Sequence, residues 1–302
     1  MRKATEVQQE ACGRAYRPPY SYVSPTLLLH YSYLVKKVFT IIFPLFVLFL
    51  FNSGCAKKEA RLLRYGFSTE VVQRYRTTLT MSSSHGTETQ FLLEETHRVQ
   101  EVTPDGNAWV EVRFDTAEVH LSDPQSLAAA FLARSLQGKV LRIKVSASGE
   151  VGSVDDSGAQ GSPGGIDLAQ TFSQVFPPLP ATSIRPGDSW TAERTVPVPS
   201  PRMNITNHVL AKYTLKGFEH REGKECAKVR VKTTAILQGV TSIPGGKKLE
   251  GKMTGEGEFL FALEEGRLLS LEMRNQTEIT SQNEEGTAQK TSTDQVVKVE
   301  AL

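Results

Sequence analysis

Cys55 is the residue whose surroundings specify most about its chemistry. It follows Lys36 and Lys37, an apolar run of 14 residues from Val38 to Phe51, and the small polar stretch Asn52-Ser53-Gly54. Two positive charges, an apolar segment and small residues have the layout of a secretory signal peptide. The pattern predicts an exported chain whose signal, residues 35–54, ends at a thiol.

The main alternative to a cleaved signal peptide is an uncleaved signal anchor, and the length of the apolar run distinguishes the two. A membrane-spanning helix needs about 20 apolar residues, whereas a signal peptide needs about 7–15. The run from Val38 to Phe51, with Pro44 inside it, is typical of the cleaved class.

The ending Gly54-Cys55 resembles the lipobox of bacterial lipoproteins, although Asn52 stands where that motif usually has leucine. The resemblance implies cleavage between Gly54 and Cys55 and acylation of the thiol, palmitate included, which would anchor the protein to a membrane. Ala56 replaces the aspartate that retains such proteins at the inner membrane. We therefore expect the cell envelope, at the outer membrane facing the periplasm where a cell has two membranes.

Residues 1–34 fit no signal and are interpreted as a non-native or disordered leader, with translation starting at Val35. Removing residues 1–54 takes away six basic and two acidic residues, so the formal charge changes from +2 to −2. A nearly neutral chain lacks the concentrated positive field that nucleic acid requires. No nucleic-acid partner is expected.

Cysteine usage excludes an internal disulfide in the mature chain. Cys12 lies in the leader, Cys55 is the anchor, and Cys226 is left alone. Alternation places Cys226 with Lys228 and Arg230 on the more polar face of a strand. We interpret it as a small side chain rather than a reactive thiol, since no base flanks it.

Apolar residues recur with a period of two along much of the chain, as in Ala108, Val110, Val112 and Phe114, which is typical of half-buried strands. Short connections require antiparallel pairing. Neighbouring runs are joined by turn pairs at Asp105-Gly106, Ser148-Gly149, Glu222-Gly223, Glu265-Gly266 and Glu285-Gly286. The sequence predicts a mainly β fold, a large curved antiparallel sheet or partial barrel of long hairpins.

Two short helices are expected beside the sheet, at Ser126–Leu136 and Ile166–Phe176. Residues 55–64 are interpreted as a charged tether. Proline-rich residues 197–201 divide the remainder into a first β-rich half, 65–198, which contains both helices, and a second β-meander half, 202–302.

Catalytic signatures are missing from the mature sequence. It has no G-x-S-x-G, H-E-x-x-H, C-x-x-C or phosphate loop. Its histidines are scattered without ligand spacing: His85, His97, His120, His208 and His220. Carboxylate neighbours such as Glu94-Glu95 would face opposite sides of a strand. We expect no metal, no cofactor and no enzyme activity.

The segment Arg185-Pro-Gly-Asp-Ser-Trp190 is the most distinctive motif. Pro186 and Gly187 predict a tight turn, and Asp188 or Ser189 can hydrogen-bond its backbone. Trp190 is expected to be an anchor in the core or a binding residue. Together with the signal and the hairpins, the motif resembles a family of uncharacterised bacterial lipoproteins. That resemblance supplies no catalytic residue.

The architecture is also similar to lipoprotein-carrier half-barrels, which curve a sheet around an apolar ligand. That similarity implies a binding module for a lipid or another apolar ligand, with the helices as a lid. A structural or assembly component of the envelope, pairing with another envelope protein through its sheet edges, is the alternative. An enzyme is the third and least favoured alternative.

Overall fold

The computed structural model describes residues 59–84, 86–122, 133–155, 175–198, 203–241, 248–282 and 288–302. All of them belong to one compact unit, residues 58–302. Within these ranges no helix has the length and apolarity needed to cross a membrane.

Eleven strands make up most of the described chain. They are β1 (Val72–Ser83), β2 (Glu88–Val102), β3 (Ala108–Leu121), β4 (Val140–Val145), β5 (Val151–Asp155), β6 (Ser189–Val198), β7 (Met203–Arg221), β8 (Lys224–Thr241), β9 (Lys248–Ala262), β10 (Arg267–Gln282) and β11 (Ala288–Ala301).

These strands form one open sheet in the order β5-β4-β3-β2-β1-β11-β10-β9-β8-β7-β6. Every pairing is antiparallel. The mainly β, antiparallel fold class is therefore confirmed. The first strand pairs with the last, and β6 pairs with β7 across the predicted division at 197–201, so strands of both predicted halves lie in the same sheet.

Glycine in the left-handed region makes the short hairpin connections. Gly106, Gly149, Gly223 and Gly266 all have positive φ values. Each lies between consecutive antiparallel strands, at the turns that the sequence predicts. Glu222, with φ of 53°, is the described non-glycine residue that shares this conformation. The predicted turn at residues 285–286 lies outside the described residues.

Strands β9 and β10 approach each other closely where Gly257 lies opposite Met273. A Cβ added to Gly257 would overlap the backbone oxygen of Glu272 and approach Met273 Sδ to 2.6 Å. Neighbouring strands are normally about 4.8 Å apart, so this closeness requires that the sheet curve toward the face on which the absent Cβ would lie. Glycine permits the curvature.

The hydrophobic core fills one end of the sheet. Residues 61–67 cross this end and are fixed by backbone bonds from Arg61 N to Ile184 O and from Gly66 N to Gly266 O, both 2.9 Å. The Tyr65 ring contacts Phe176 at 5.5 Å and Phe261 at 5.2 Å between centroids. Large fully buried side chains, Tyr75 and Phe259 among them, surround this contact.

Two expectations meet the structure only in part. Leu63 is completely buried, so residues 61–64 pack on the core instead of extending as part of the predicted tether 55–64. Of the two predicted helices, the structure describes a helical turn at 133–136 and the final residues Val175 and Phe176. The remainder of both segments lies outside the described residues.

Candidate functional site

The predicted lipidation site is not among the described residues. Gly54 and Cys55 both lie in the range that the structure leaves out. Acylation of Cys55 therefore stays a prediction from the sequence.

The segment around Pro186 forms a turn that holds β6 against β7. Asp188 Oδ2 accepts a hydrogen bond from Arg185 N at 2.8 Å. Gly187, with φ of 103°, donates its N–H to Leu215 O at 2.7 Å. Trp190 Nε1–H donates to Pro178 O at 2.9 Å, and its ring stacks on Tyr213 at 5.3 Å. Trp190 is thus a packing residue.

Cys226 and the histidines form no reactive cluster. Cys226 lies on the same strand face as Lys228 and Arg230, as expected, but it is fully buried. It is a small residue between Glu219 on β7 and Ala262 on β9. Burial raises the pKa of its thiol. Within the described ranges no group of three or more His, Cys, Asp or Glu side chains could hold a metal ion. His85 is outside those ranges.

Glu95 and His97 form a buried polar pair that the sequence analysis missed. Both side chains lie on the core-facing side of β2, with 1% and 2% of their surface exposed, and Glu95 Oε2 is 3.0 Å from His97 Nε2. The sequence does contain the signal, because residues i and i+2 of a strand share a face. The pattern Leu93-x-Glu95-x-His97-x-Val99 puts both polar residues among apolar ones.

Aromatic rings enclose this pair. The Tyr75 ring centroid is 4.9 Å from that of His97, and Phe176 stacks on the other side at 5.7 Å. Burial is the main cause that raises the pKa of Tyr75 well above its usual range, and the negative charge of Glu95 adds to it. A substrate could not reach the pair without opening the core, so its geometry suits packing rather than catalysis.

The part of the sheet beyond the core has two chemically different faces. On β8–β11 one face is uncharged, and each of its members is buried or half-buried. We call it the uncharged face; it consists of Thr233, Ala235, Leu237 and Gly239 on β8, Leu249, Gly251, Met253, Gly255 and Gly257 on β9, Met273, Asn275, Thr277, Ile279 and Ser281 on β10, and Thr291, Thr293 and Gln295 on β11.

The opposite face of the same strands is charged and exposed. Its charged residues are Lys232, Lys248, Glu250, Lys252, Glu256, Glu258, Glu272, Arg274, Glu278, Lys290, Asp294 and Lys298. Several form ion pairs with one another, such as Arg230 with Glu256 at 2.9 Å and Lys228 with Glu258 at 3.1 Å. The difference between the faces identifies the charged one as the side in contact with water.

A hollow of about 540 Å³ lies in this region of β8–β11. It is lined by Lys232, Thr233, Thr234, Thr254, Gly255, Glu256, Arg274, Asn275, Gln276, Asp294, Gln295 and Val296. Thr233, Gly255, Asn275 and Gln295 are direct partners on successive strands. They form one row across the uncharged face, and we call them the amide row.

Asn275 is the unusual member of the amide row. Its Nδ2 donates to Gln295 Oε1 at 3.2 Å. Its Oδ1 is buried and accepts no hydrogen bond. A Cβ at Gly255 would overlap this oxygen, so the amide occupies space that only glycine leaves open. An unpaired buried acceptor is unfavourable by about 1–3 kcal/mol.

Comparisons with known proteins provide no family. No protein-family profile and no curated protein matches the chain. Among solved structures, the chain is similar to OmpT, an outer membrane protein of Vibrio cholerae folded in vitro, with 6% identity and a TM-score of 0.15 over 76% of this chain and 97% of that one. A likeness at that level carries no argument.

Proposed function

We propose that this protein is a lipid-anchored, non-catalytic binding module of the cell envelope, and that the uncharged face binds an apolar ligand. The anchor is Cys55, and the ligand site is the curved part of β8–β11 beyond the core. The single observation that carries the proposal is the contrast between the two faces of this region.

The contrast matters because a face without charge is poorly hydrated. Leu237, Leu249, Met253, Met273 and Ile279 all lie on the uncharged face, half-buried. A protein surface that groups apolar residues beside hydroxyl-bearing ones, and curves around them, has the composition of a ligand site. Each apolar side chain that a ligand covers fully would contribute roughly 1.5–3 kcal/mol.

The core end of the sheet has a different role. There Tyr65, Phe261 and their neighbours fill the space between the sheet and residues 61–67. The ligand site is therefore assigned to the uncharged face beyond this core, at its apolar residues.

Binding is favoured over catalysis by the placement of the titratable groups. Glu95 and His97 contact each other but are sealed by Tyr75 and Phe176. Lys232, Glu256, Arg274 and Asp294 line the hollow, but they belong to the charged face, opposite the apolar residues of the uncharged face. Arg274 pairs with Glu272 at 3.2 Å. The uncharged face, as defined by its described residues, therefore contains no acidic or basic side chain that could act on a bound ligand.

Anchoring places such a module beside its ligand source. Acylation of Cys55 with several chains would hold the protein at a membrane firmly. Residues 56–60 would separate the lipid from Arg61, whose backbone is hydrogen-bonded to that of Ile184. A membrane supplies apolar ligands in high local concentration.

Photocrosslinking in cells with a diazirine-bearing alkyl probe tests the proposal. We expect labelled peptides from 249–257 and 271–281, and we expect Met253→Lys to lose most of the label because an ammonium then lies on the uncharged face. Thr254→Lys is the matched control, since its side chain lies on the charged face. Equal labelling of both variants, or labelling confined to other regions, would contradict the proposal.

An assembly role is the second candidate, and the edge strand β6 favours it. This strand of ten residues has β7 as its one partner in the sheet, so its other edge offers backbone groups for pairing. Pro197 limits such pairing near the end of the strand. Crosslinking from Thr191 in cells followed by pull-down would capture an envelope protein if β6 is an assembly edge.

A further inference from the structure

Exposed apolar side chains gather at the core end of the sheet, which residues 61–67 cross. Of the eight large hydrophobic residues that are exposed in the described chain, five lie at this end, each between 43% and 51% exposed: Leu62, Val71, Val72, Val102 and Leu302. Antiparallel pairing brings them together, because Val72 begins β1, Val102 ends β2 and Leu302 follows β11. Single exposed apolar residues need no explanation, but a group of them indicates a contact surface.

The segment that crosses this end has an inner and an outer row. Leu63 and Tyr65 are buried in the core, whereas Leu62 and Arg64 alternate with them and are exposed. Successive residues of an extended segment point to opposite sides, so Leu62 and Arg64 project away from the sheet. Backbone hydrogen bonds at both ends hold the segment in place. The outer row is therefore a fixed part of the surface.

We propose that this end of the protein lies directly against the lipid surface of the membrane. We call it the anchor-side surface; it consists of Leu62, Arg64, Val71, Val72, Val102 and Leu302. Its aliphatic side chains enter the headgroup region, and the strands extend from there away from the membrane. The inference rests on the proposed anchor at Cys55 and adds to it an orientation of the fold.

The short tether selects a membrane as the partner of this surface. An extended chain advances at most about 3.6 Å per residue, so the chain from Cys55 to Arg61 spans at most about 22 Å. Arg61 lies at the core end, because its guanidinium is 3.9 Å from Glu225 near the beginning of β8. The 18 residues of β8 extend over roughly 60 Å. The tether is therefore too short for the opposite end of the sheet to face the membrane.

Arginine side chains stand beside the apolar ones at this end. Arg98 is the direct partner of Val72, and the backbone oxygen of Arg74 accepts a hydrogen bond from Leu302 N at 2.9 Å. Both arginines and Arg64 are exposed. A guanidinium can bind a phosphate through two parallel hydrogen bonds, while its methylene groups remain against apolar neighbours. Aliphatic and arginine side chains together suit a surface of phosphate-bearing lipids.

Fluorescence quenching on vesicles tests the inference. The acylated chain carrying Val72→Cys or Ile236→Cys is labelled with nitrobenzoxadiazole and placed in vesicles of phosphatidylethanolamine and phosphatidylglycerol that contain a lipid spin-labelled near its headgroup. We expect the spin label to remove most of the emission of the probe at 72 and almost none at 236. The thiol of Cys226 is buried and should not react.

Ile236 is the matched control for Val72. It is likewise an exposed aliphatic residue, with 55% of its surface accessible. It follows Lys224, the first residue of β8, by 12 positions, which corresponds to roughly 40 Å along the strand. Leu62→Cys supplies a second probe position at the anchor-side surface, and its probe should be quenched like the one at 72.

The outcomes separate this inference from the proposed function. Equal quenching at 72 and 236 would mean that the sheet lies flat on the membrane. Unquenched probes at 62 and 72, on a chain that remains with the vesicles, would mean that this end faces water or another protein. Either result overturns the orientation but leaves the anchor and the apolar ligand site intact. A chain that does not remain with the vesicles overturns the anchor as well.

Discussion

Glu95 and His97 share a hydrogen bond of 3.0 Å inside the core, although neither side chain exposes more than 2% of its surface. The pair lies between the Tyr75 and Phe176 rings, where residues 175–184 and the sheet pack together. A buried polar pair contributes little net stability compared with apolar residues, but it makes the packing specific, since removing one partner leaves the other unsatisfied.

His97→Phe should therefore be strongly destabilising. The ring fills most of the same space, but Glu95 loses its partner in an apolar environment, and we expect the free energy of unfolding to fall by about 3 kcal/mol. Urea denaturation of the full chain, followed by tryptophan fluorescence, measures this loss.

The double variant Glu95→Leu/His97→Phe is the informative control, because it removes both polar groups and should recover most of the stability. The exposed pair Arg274–Glu272 gives a second comparison, and Arg274→Ala should cost less than about 1 kcal/mol. If His97→Phe is as stable as the natural chain, the buried pair is not important for the fold.

Buried tyrosines predict a loss of stability at alkaline pH. Burial raises the pKa of Tyr213 to about 12, and it also raises the pKa values of Tyr65 and Tyr75. The unfolded state ionises near pH 10 while the folded state does not, so the unfolded state binds fewer protons and stability decreases as pH rises from 10 to 12.

Tyr213→Phe should reduce this pH dependence. For Tyr213 alone the difference is up to about 2.7 kcal/mol between pH 10 and 12. Urea unfolding of the natural chain and of Tyr213→Phe at pH 9, 10 and 11 would reveal it. Identical slopes for the natural chain and Tyr213→Phe would argue against a buried, neutral phenol.

Gly257 tests the curvature of the sheet. In Gly257→Ala the new methyl group meets the Glu272 backbone and Met273, so β10 must move, and overpacking of this kind typically costs about 1–3 kcal/mol. Gly217→Ala is the matched control, since a Cβ there meets nothing within 4 Å. Urea midpoints that fall equally for both variants would mean that the tight approach of β9 and β10 is absent.

Acylation of Cys55 is tested by metabolic labelling with an alkyne fatty acid. The natural chain should incorporate the label and remain with the membrane fraction, whereas Cys55→Ala should do neither, because no other thiol follows the signal directly. Cys226→Ala is the control and should label normally, since that thiol is buried. Label that persists in Cys55→Ala would refute the lipobox interpretation.

The local structure follows from sequence patterns because period-two alternation and turn chemistry are local properties. The run Ala108–Phe114 predicts the beginning of β3, and Asp105-Gly106 predicts its hairpin with β2, as the structure has them. Antiparallel pairing of neighbours follows from the short connections. These features depend on residues only a few positions apart.

The strand order and the site depend on distant pairings that alternation does not encode. Nothing in the Thr- and Val-rich pattern of β11 specifies β1 as its partner. The amide row exists only because three strand registers align Thr233, Gly255, Asn275 and Gln295. Likewise, Glu95 was considered only as the neighbour of Glu94. Its contact with His97, which lies on the same strand face, was therefore missed.

The most direct test of the ligand-binding account is native mass spectrometry of the full chain purified from its own membrane. We expect a co-purifying lipid or other apolar ligand that is noncovalently bound, distinct from the acyl groups on Cys55, and lost in Met253→Lys but retained in Thr254→Lys. A chain that carries only its covalent lipid, or an adduct that remains unchanged in Met253→Lys, would contradict the account.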